Sequence, residues 1–272
     1  MFLKIIRKIR KYIVSEKITP VKTPVVYGEL LNEKKALIIG GSGGIGSAIA
    51  AAFVTNGAQV IVSGTNEEKL KDICNKIGPS CKYIIIDVTN PSSFKDKIHE
   101  AHEMFGKIDV LVNSAGIHCK NTFGNVSVDD WDNVMNINLR GMYFMSQEFS
   151  KYMIDNNIKG HILNVGSASC AKPGWTPYEI SKWGVKAMTL GMADKLIRYG
   201  ITVNCIAPGP VATPMLGKSN DDNIKWEGNP SGRMATAEEV ANLAVVMVSN
   251  IGTLIVGDTY FISGGSGTIS NL

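Results

Sequence analysis

The 272-residue chain has no run of about 18 apolar residues, so no membrane-spanning helix is expected. Its apolar N-terminal residues are interrupted by Lys4, Arg7, Lys8, Arg10 and Lys11, which argues against a signal peptide. The four histidines (His99, His102, His118, His161) form no HExxH pattern. The five cysteines (Cys74, Cys81, Cys119, Cys170, Cys205) are scattered, odd in number and free of CxxC spacing. No metal site and no disulfide framework are expected; reduced thiols in a cytoplasmic protein are the natural reading. Charge is scarce in the body of the chain. Residues 1–35 hold nine of the 28 Lys/Arg and only three of the 24 Asp/Glu, so the net charge of +4 belongs to the N-terminal arm. A nucleic-acid-binding domain is therefore not expected.

What is present is apolar side chain, 44% of the sequence, enough for a substantial core and too much for a disordered chain. From residue 35 short apolar runs alternate with segments of helical period. The runs are Lys35–Ile39, Gln59–Ser63, Lys82–Ile86, Ile108–Val112, His161–Val165, Thr202–Ile206 and Thr259–Ile262. Ile45–Asn56, Glu67–Ile77 and Ser92–Phe105 are of helix length. Alternation of this kind implies a seven-stranded parallel sheet with right-handed crossovers and helices on both faces. The fold expected is one doubly wound, Rossmann-type α/β domain over 35–272, preceded by an extension over 1–34. In that extension Phe2, Ile5, Ile6, Ile9, Tyr12 and Ile13 recur at helical spacing among basic residues. Two readings stay open: weak contact of residues 1–13 with an anionic membrane surface, or packing on the body or a neighbouring subunit. Pro20 and Pro24 make the link extended.

After the first run comes Gly40-Gly41-Ser42-Gly43-Gly44-Ile45-Gly46, opening into a helical segment. Glycines permit a tight turn and close backbone approach, and free amides with the helix dipole attract a pyrophosphate. Strand, glycine turn and helix in one βαβ unit point to a dinucleotide. The GxxxGxG spacing of Gly40, Gly44 and Gly46 resembles the nucleotide loop of the short-chain dehydrogenase/reductase family, with Ile39 where that family usually has Thr. The resemblance runs through residues 36–265. Asp87-Val88 is similar to the pair bordering the adenine. Asn113-Ser114-Ala115-Gly116 resembles the family's NNAG, which stabilises the sheet and lies along the cofactor. Asn204 with Pro208-Gly209-Pro210-Val211 and Thr213 resembles the segment meeting the nicotinamide side. The cofactor contacts implied are Gly40, Ser42, Gly43, Gly44, Ile45, Gly46, Thr65, Asn66, Asp87, Val88, Asn113, Ala115, Gly116, Tyr178, Lys182, Pro208, Gly209, Val211 and Thr213. The second run ends Val62-Ser63-Gly64-Thr65-Asn66, with no acid to accept from a ribose 2′-hydroxyl. NADP(H) is favoured over NAD(H) on that ground, although no Arg stands at Gly43 or Thr65 and Glu67 and Glu68 follow closely.

Tyr178 and Lys182 are four apart, so a helix would set them on one face, where an ammonium favours the phenolate form. By resemblance, Tyr178 passes the proton, Lys182 holds the ribose and tunes Tyr178, Ser167 orients the substrate oxygen, and Asn138 holds a relay water. Hydride would move between nicotinamide C4 and a carbonyl carbon. Ser167 precedes Tyr178 by 11 positions, shorter than the family commonly has, while Ser169 is only nine away. The shortening falls in the loop Ala168–Pro177 and would reshape the substrate pocket. Met215–Pro230 corresponds to a short, polar lid with Trp226 as its only aromatic. A polar carbonyl, 3-oxoacyl or sugar-like, fits this better than a steroid, and Trp175 and Trp183 flank Tyr178. The body looks most like bacterial 3-oxoacyl carrier-protein reductases. Two alternatives are a catalytically silent nucleotide-binding sensor or scaffold, and a docking protein acting through the basic arm. The resemblance also implies a homo-oligomer, tetramer or dimer, built from Trp131–Asn156 and Pro177–Tyr199.

Overall fold

The computed structural model describes residues 28–218 and 223–269. The basic pattern of residues 1–13 and the two prolines after it lie outside them. The strands are β1 (Lys35–Ile39), β2 (Gln59–Gly64), β3 (Cys81–Ile85), β4 (Val110–Asn113), β5 (His161–Val165), β6 (Thr202–Pro208) and β7 (Thr259–Ile262). The helices are α1 (Gly44–Thr55), α2 (Glu67–Ile77), α3 (Phe94–Phe105), α4 (Val128–Met135), α5 (Met142–Asp155), α6 (Pro177–Leu196) and α7 (Ala237–Val248). All seven strands are parallel, in the order β3-β2-β1-β4-β5-β6-β7.

The sheet is buried on both faces, which is why its strands read as continuous apolar runs. Along β1 the side chains alternate between two cores. Ala36 and Ile38 pack with Ile49 and Phe53 of α1 and Val240 and Val245 of α7. Leu37 and Ile39 pack with Phe94 and Ile98 of α3 and Met145 and Phe149 of α5. Period-two alternation is what places successive residues on opposite faces.

Several element boundaries differ from the sequence pattern. β4 begins at Val110 rather than Ile108, because the Ile108 amide donates to the Tyr152 hydroxyl at 3.0 Å instead of joining the ladder. The long helix expected over Trp131–Asn156 is α4 and α5 joined by a π-helical segment, Asn136–Gly141. The helix expected to reach Tyr199 gives way after Leu196 to a 3₁₀ turn, Ile197–Tyr199, closed by Gly200 at φ +75°. The strand order reverses between β1 and β4. That switch point opens a crevice beyond the strands' C-terminal ends, and the glycine turn and the Asn113–Gly116 segment both enter it.

Candidate active site

The glycine turn is shaped by contacts that a side chain would obstruct. Gly40 has φ +78°, and a Cβ there would meet the backbone of Ala115; a Cβ on Gly46 would collide with the Gly40 carbonyl oxygen. The turn is closed by the Gly43 amide donating to the Gly40 carbonyl at 3.0 Å. Gly43 is the N-cap of α1 and offers no side-chain cap, so the first-turn amides of Gly44, Ile45 and Gly46 have no partner within the helix. This backbone cradle, too narrow for a Cβ and presenting free N–H groups, fits a pyrophosphate. Thr213 comes back against it, since a Cβ on Gly44 would lie 2.8 Å from its methyl group. Pro208, Gly209 and Val211 line the cleft on the same side.

At the end of β2, a Cβ on Gly64 would lie 2.9 Å from the Ser42 hydroxyl oxygen, and Thr65 is exposed beside it. The Asn66 side-chain oxygen caps α2 by accepting from the Lys69 amide at 2.9 Å. The Glu67 carboxylate accepts from the Tyr83 hydroxyl at 3.0 Å and pairs with Lys71 at 2.9 Å. Those two partners, Lys71 first, hold it below the usual carboxylate range. Asp87 is exposed and accepts from the Thr89 amide and hydroxyl, while Val88 packs on the α3–α5 core. Asn113 turns inward: its amide donates to the Ser146 hydroxyl and to Asn164, each at 2.9 Å. Asn164 in turn donates to the Thr189 hydroxyl, so this buried chain ties β4, β5, α5 and α6 together. The Asn113 side-chain oxygen is left without a partner.

α6 begins with a reciprocal cap. The Thr176 hydroxyl accepts from the Glu179 amide at 3.3 Å, and the Glu179 carboxylate accepts from the Thr176 amide at 2.9 Å. With Pro177 at the first helical position, this cap fixes the turn that carries Tyr178. Lys182, one turn on, is buried, lies with Nζ 5.6 Å from the Tyr178 ring centre, and donates to the Val165 carbonyl at 3.0 Å. A Cβ on Gly116 would lie 3.7 Å from that Nζ, so the glycine keeps the approach to Lys182 open. Ser167 follows β5 and is buried; its oxygen accepts from the Ser169 amide at 3.1 Å. Asn138 sits in the π-helical segment with its amide fully engaged. It accepts from the Ile117 amide at 2.8 Å, donates to the Ile117 carbonyl at 2.9 Å, and donates to the Ser181 hydroxyl at 3.2 Å. π-Turns of this kind concentrate at functional sites. Behind the site, burial pushes the Cys205 thiol up to about 12 and raises Cys170 as well.

Ser167, Tyr178, Ile45, Pro208, Gly209, Val211 and Thr213 line one cleft of about 240 Å³. A larger cavity of about 640 Å³, between α3 and α5, is lined by none of them. Three further polar residues face the cleft that the sequence reading assigned no role: His118, Lys172 and Ser266. The His118 ring centre is 4.9 Å from that of Tyr178. His118 stands two positions beyond Gly116, which is a usable signal. Lys172 and Ser266 come from distant segments and match no motif.

A family model described as short chain dehydrogenase matches residues 34–224. The chain belongs to that family. It is 35% identical over 240 residues to a 3-oxoacyl-(acyl-carrier-protein) reductase of Chlamydia pneumoniae, covering 85% of this chain and 96% of that one. It is 31% identical over 244 residues to gluconate 5-dehydrogenase of Gluconobacter oxydans, covering 86% and 95%. Among solved structures, a 3-ketoacyl-(acyl-carrier-protein) reductase from Brucella melitensis complexed with NADH superposes with a TM-score of 0.81 at 26% identity, covering 88% of this chain and all of that one. This short-chain dehydrogenase is therefore an NAD(P)-dependent oxidoreductase of CH–OH and C=O groups. Among its described residues no helix is long and apolar enough to cross a membrane.

Proposed function

We propose that this short-chain dehydrogenase interconverts a small, polar carbonyl compound and its secondary alcohol, with Tyr178 as the proton carrier and NADP(H) as the preferred cofactor. The observation that carries this reading is the shared cleft: Tyr178 and Ser167 face the same space as Ile45 and Thr213, which belong to the nucleotide cradle. When bound, the nicotinamide supplies or accepts hydride at C4. Gly40, Ser42, Gly43, Gly44, Ile45 and Gly46 would hold the pyrophosphate, and Lys182 would hold the ribose.

In the reducing direction the Tyr178 hydroxyl gives its proton to the substrate oxygen as the carbonyl carbon is reduced. Lys182, fixed by the Val165 carbonyl, stabilises the negative charge left on the phenol oxygen. The Ser167 oxygen already accepts from the Ser169 amide, which leaves the Ser167 proton free to be donated to the same substrate oxygen. Asn138 is a positioning residue. Its amide fixes Ile117, one position before His118, so any relay water would meet its main chain rather than its side chain.

Support for NADP(H) comes from the end of β2. No carboxylate stands at Gly64, the Ser42 hydroxyl is beside it, and the next acid along the chain, Glu67, is occupied by Lys71 and Tyr83. The relatives' names include 3-oxoacyl and gluconate chemistry, and a cleft of about 240 Å³ suits the polar end of either. Self-association through α4, α5 and α6 is part of the proposal, because Trp131, Tyr143 and Leu190 are exposed there. Membrane-surface contact by residues 1–13 is a separate proposal resting on their amphipathic basic pattern.

Thermal unfolding with NADPH and NADH tests the cofactor. A ligand at about 100 times its Kd stabilises the native state by about 2.7 kcal/mol. A larger shift with NADPH is expected; a larger shift with NADH refutes the preference, and no shift with either refutes the oxidoreductase mechanism. Tyr178→Phe should keep the cofactor shift and lose turnover by about 10²- to 10⁴-fold. Turnover at the parent rate would refute the role of Tyr178.

A further inference from the structure

The loop between Ser167 and Tyr178 is short, and its geometry delivers a cation to the cleft. A 3₁₀ turn, Ala168–Ala171, leads straight into Lys172. The Lys172 main chain is fixed on both sides: its amide donates to the Ser169 carbonyl at 3.2 Å, and its carbonyl accepts from the Trp183 indole N–H at 2.8 Å. Its Nζ donates to the Ser266 hydroxyl at 2.9 Å. Ser266 itself is buried, in the turns that follow β7. Those turns press closely on the loop, since a Cβ on Gly267 would meet the Ala168 carbonyl at 2.6 Å.

Lys172 and Ser266 line the catalytic cleft on one side and a second cavity of about 340 Å³ on the other. Their bond thus forms part of the wall between the two. A hydroxyl satisfies one of the three ammonium donors and none of its charge. Among the described residues no carboxylate pairs with Lys172, and none lines the cleft. The other polar side chains of the cleft wall are hydroxyls, an imidazole and an indole, those of Ser167, Ser169, Tyr178, Thr213, His118 and Trp226.

Building on the oxidoreductase reading above, we propose that Lys172 is a specificity-determining residue that selects substrates carrying a carboxylate near the reacting carbon. One ammonium beside one hydroxyl matches a single negative charge, and in a cleft this size the anion and the reacting carbonyl belong to one small oxo acid. Lys172 takes no part in hydride or proton transfer. It holds the acid end while Tyr178 and Ser167 hold the carbonyl oxygen.

The test uses the full-length chain with saturating NADPH or NADH. The probes are a panel of 2- and 3-oxo acids with their methyl esters, acetoacetate and methyl acetoacetate among them. The parent enzyme is expected to prefer at least one acid to its ester. In Lys172→Gln, kcat/KM for that acid should fall about 10- to 100-fold, mainly through KM, the size of effect expected for losing one charge-assisted hydrogen bond. The ester should change by no more than about threefold, and Lys172→Arg should restore most of the acid preference. Esters turned over as well as the acids, or an acid preference that survives Lys172→Gln, overturns the inference while leaving the oxidoreductase reading intact. Loss of both probes together in Lys172→Gln, with the cofactor shift retained, assigns Lys172 a strut's role and also overturns it. If Lys172→Gln does not fold, the parent's acid-to-ester ratio and its retention in Lys172→Arg decide. A chain that binds cofactor but turns over no acid and no ester refutes the oxidoreductase reading itself, and the inference falls with it.

Discussion

Acid should weaken this protein through a single buried imidazole, and the size of the effect follows from where His161 sits. The residue opens β5, the strand that carries Ser167 to the cleft, and is only 5% exposed. Its Nδ1 lies 2.7 Å from the Thr202 hydroxyl across the β5–β6 pair. Burial, reinforced by the positive charge of Lys34, pushes its pKa from 6.5 down to about 4. The folded protein therefore keeps His161 neutral while the unfolded chain protonates it, so the unfolded state takes up more protons. The stability this represents is complete above about pH 6.5, declines as pH falls, and is gone near pH 4. Between pH 8 and pH 5 the loss from this one group is about 2 kcal/mol, out of about 3.4 kcal/mol for the whole 2.5-unit shift.

Carboxylates also titrate in this range, so the measurement must be a difference. Urea unfolding of the parent and of His161→Gln at fixed protein concentration, at pH 8, 7, 6 and 5, isolates the term. The variant loses the hydrogen bond to Thr202 at every pH, which offsets its curve without changing its slope. The parent's advantage should therefore shrink by about 2 kcal/mol from pH 8 to pH 5. A gap that stays constant to within about 0.5 kcal/mol would refute the reasoning, as would a native His161 resonance titrating near its ordinary value.

Other perturbations have equally definite outcomes. Gly46→Ala drives a methyl into the Gly40 carbonyl and should abolish the NADPH-induced thermal shift; a normal shift would mean the cradle is not where the pyrophosphate rests. Asn138→Ala leaves both the Ile117 amide and carbonyl without their side-chain partner, so a loss of about 1–3 kcal/mol is expected in denaturant melts, together with reduced turnover. Cys205, with its thiol pushed up to about 12 by burial, should resist a disulfide reagent at pH 8 in the native state and react only after denaturation. Light scattering should give a mass above the 29.3 kDa of one chain, and Leu190→Glu should lower it; a parent at one chain's mass would refute self-association.

The local geometry of this site is legible in the sequence because its parts are close together in the chain. The glycine turn needs only β1 before it and α1 after it, and β1 announces itself by five residues of which four are fully buried. Tyr178 and Lys182 need only a helical turn, and Thr176-Pro177 with Glu179 starts that turn within the same few residues. The doubly wound sheet follows from the alternation of runs; its strand boundaries shift by a residue or two, at β4 because Tyr152 takes the Ile108 amide out of the ladder. Asn138 shows the intermediate case. Its identity matches a motif, but the π-helical turn that aims its amide at Ile117 has no local signature, because the turn is set by contacts such as Gly141 packed against Val88.

Lys172 and Ser266, and the way His118 meets them in one cleft, mark where this legibility stops. Their joint position depends on three connections folding onto one another: the β4–α4 loop, the β5–α6 loop and the turns after β7. No window of the sequence contains all three, and each residue type alone has an ordinary solvent-facing alternative. The hydride and proton steps proposed above call for a fixed constellation, and the residues proposed for it sit on strand ends and one capped helix. What distinguishes one carbonyl from another is carried on loops, whose residues acquire meaning only through their neighbours in space. Lys172 belongs to the second class. If it selects oxo acids, specificity in this chain rests on one loop residue that reaches the cleft, separate from the groups proposed to move the proton.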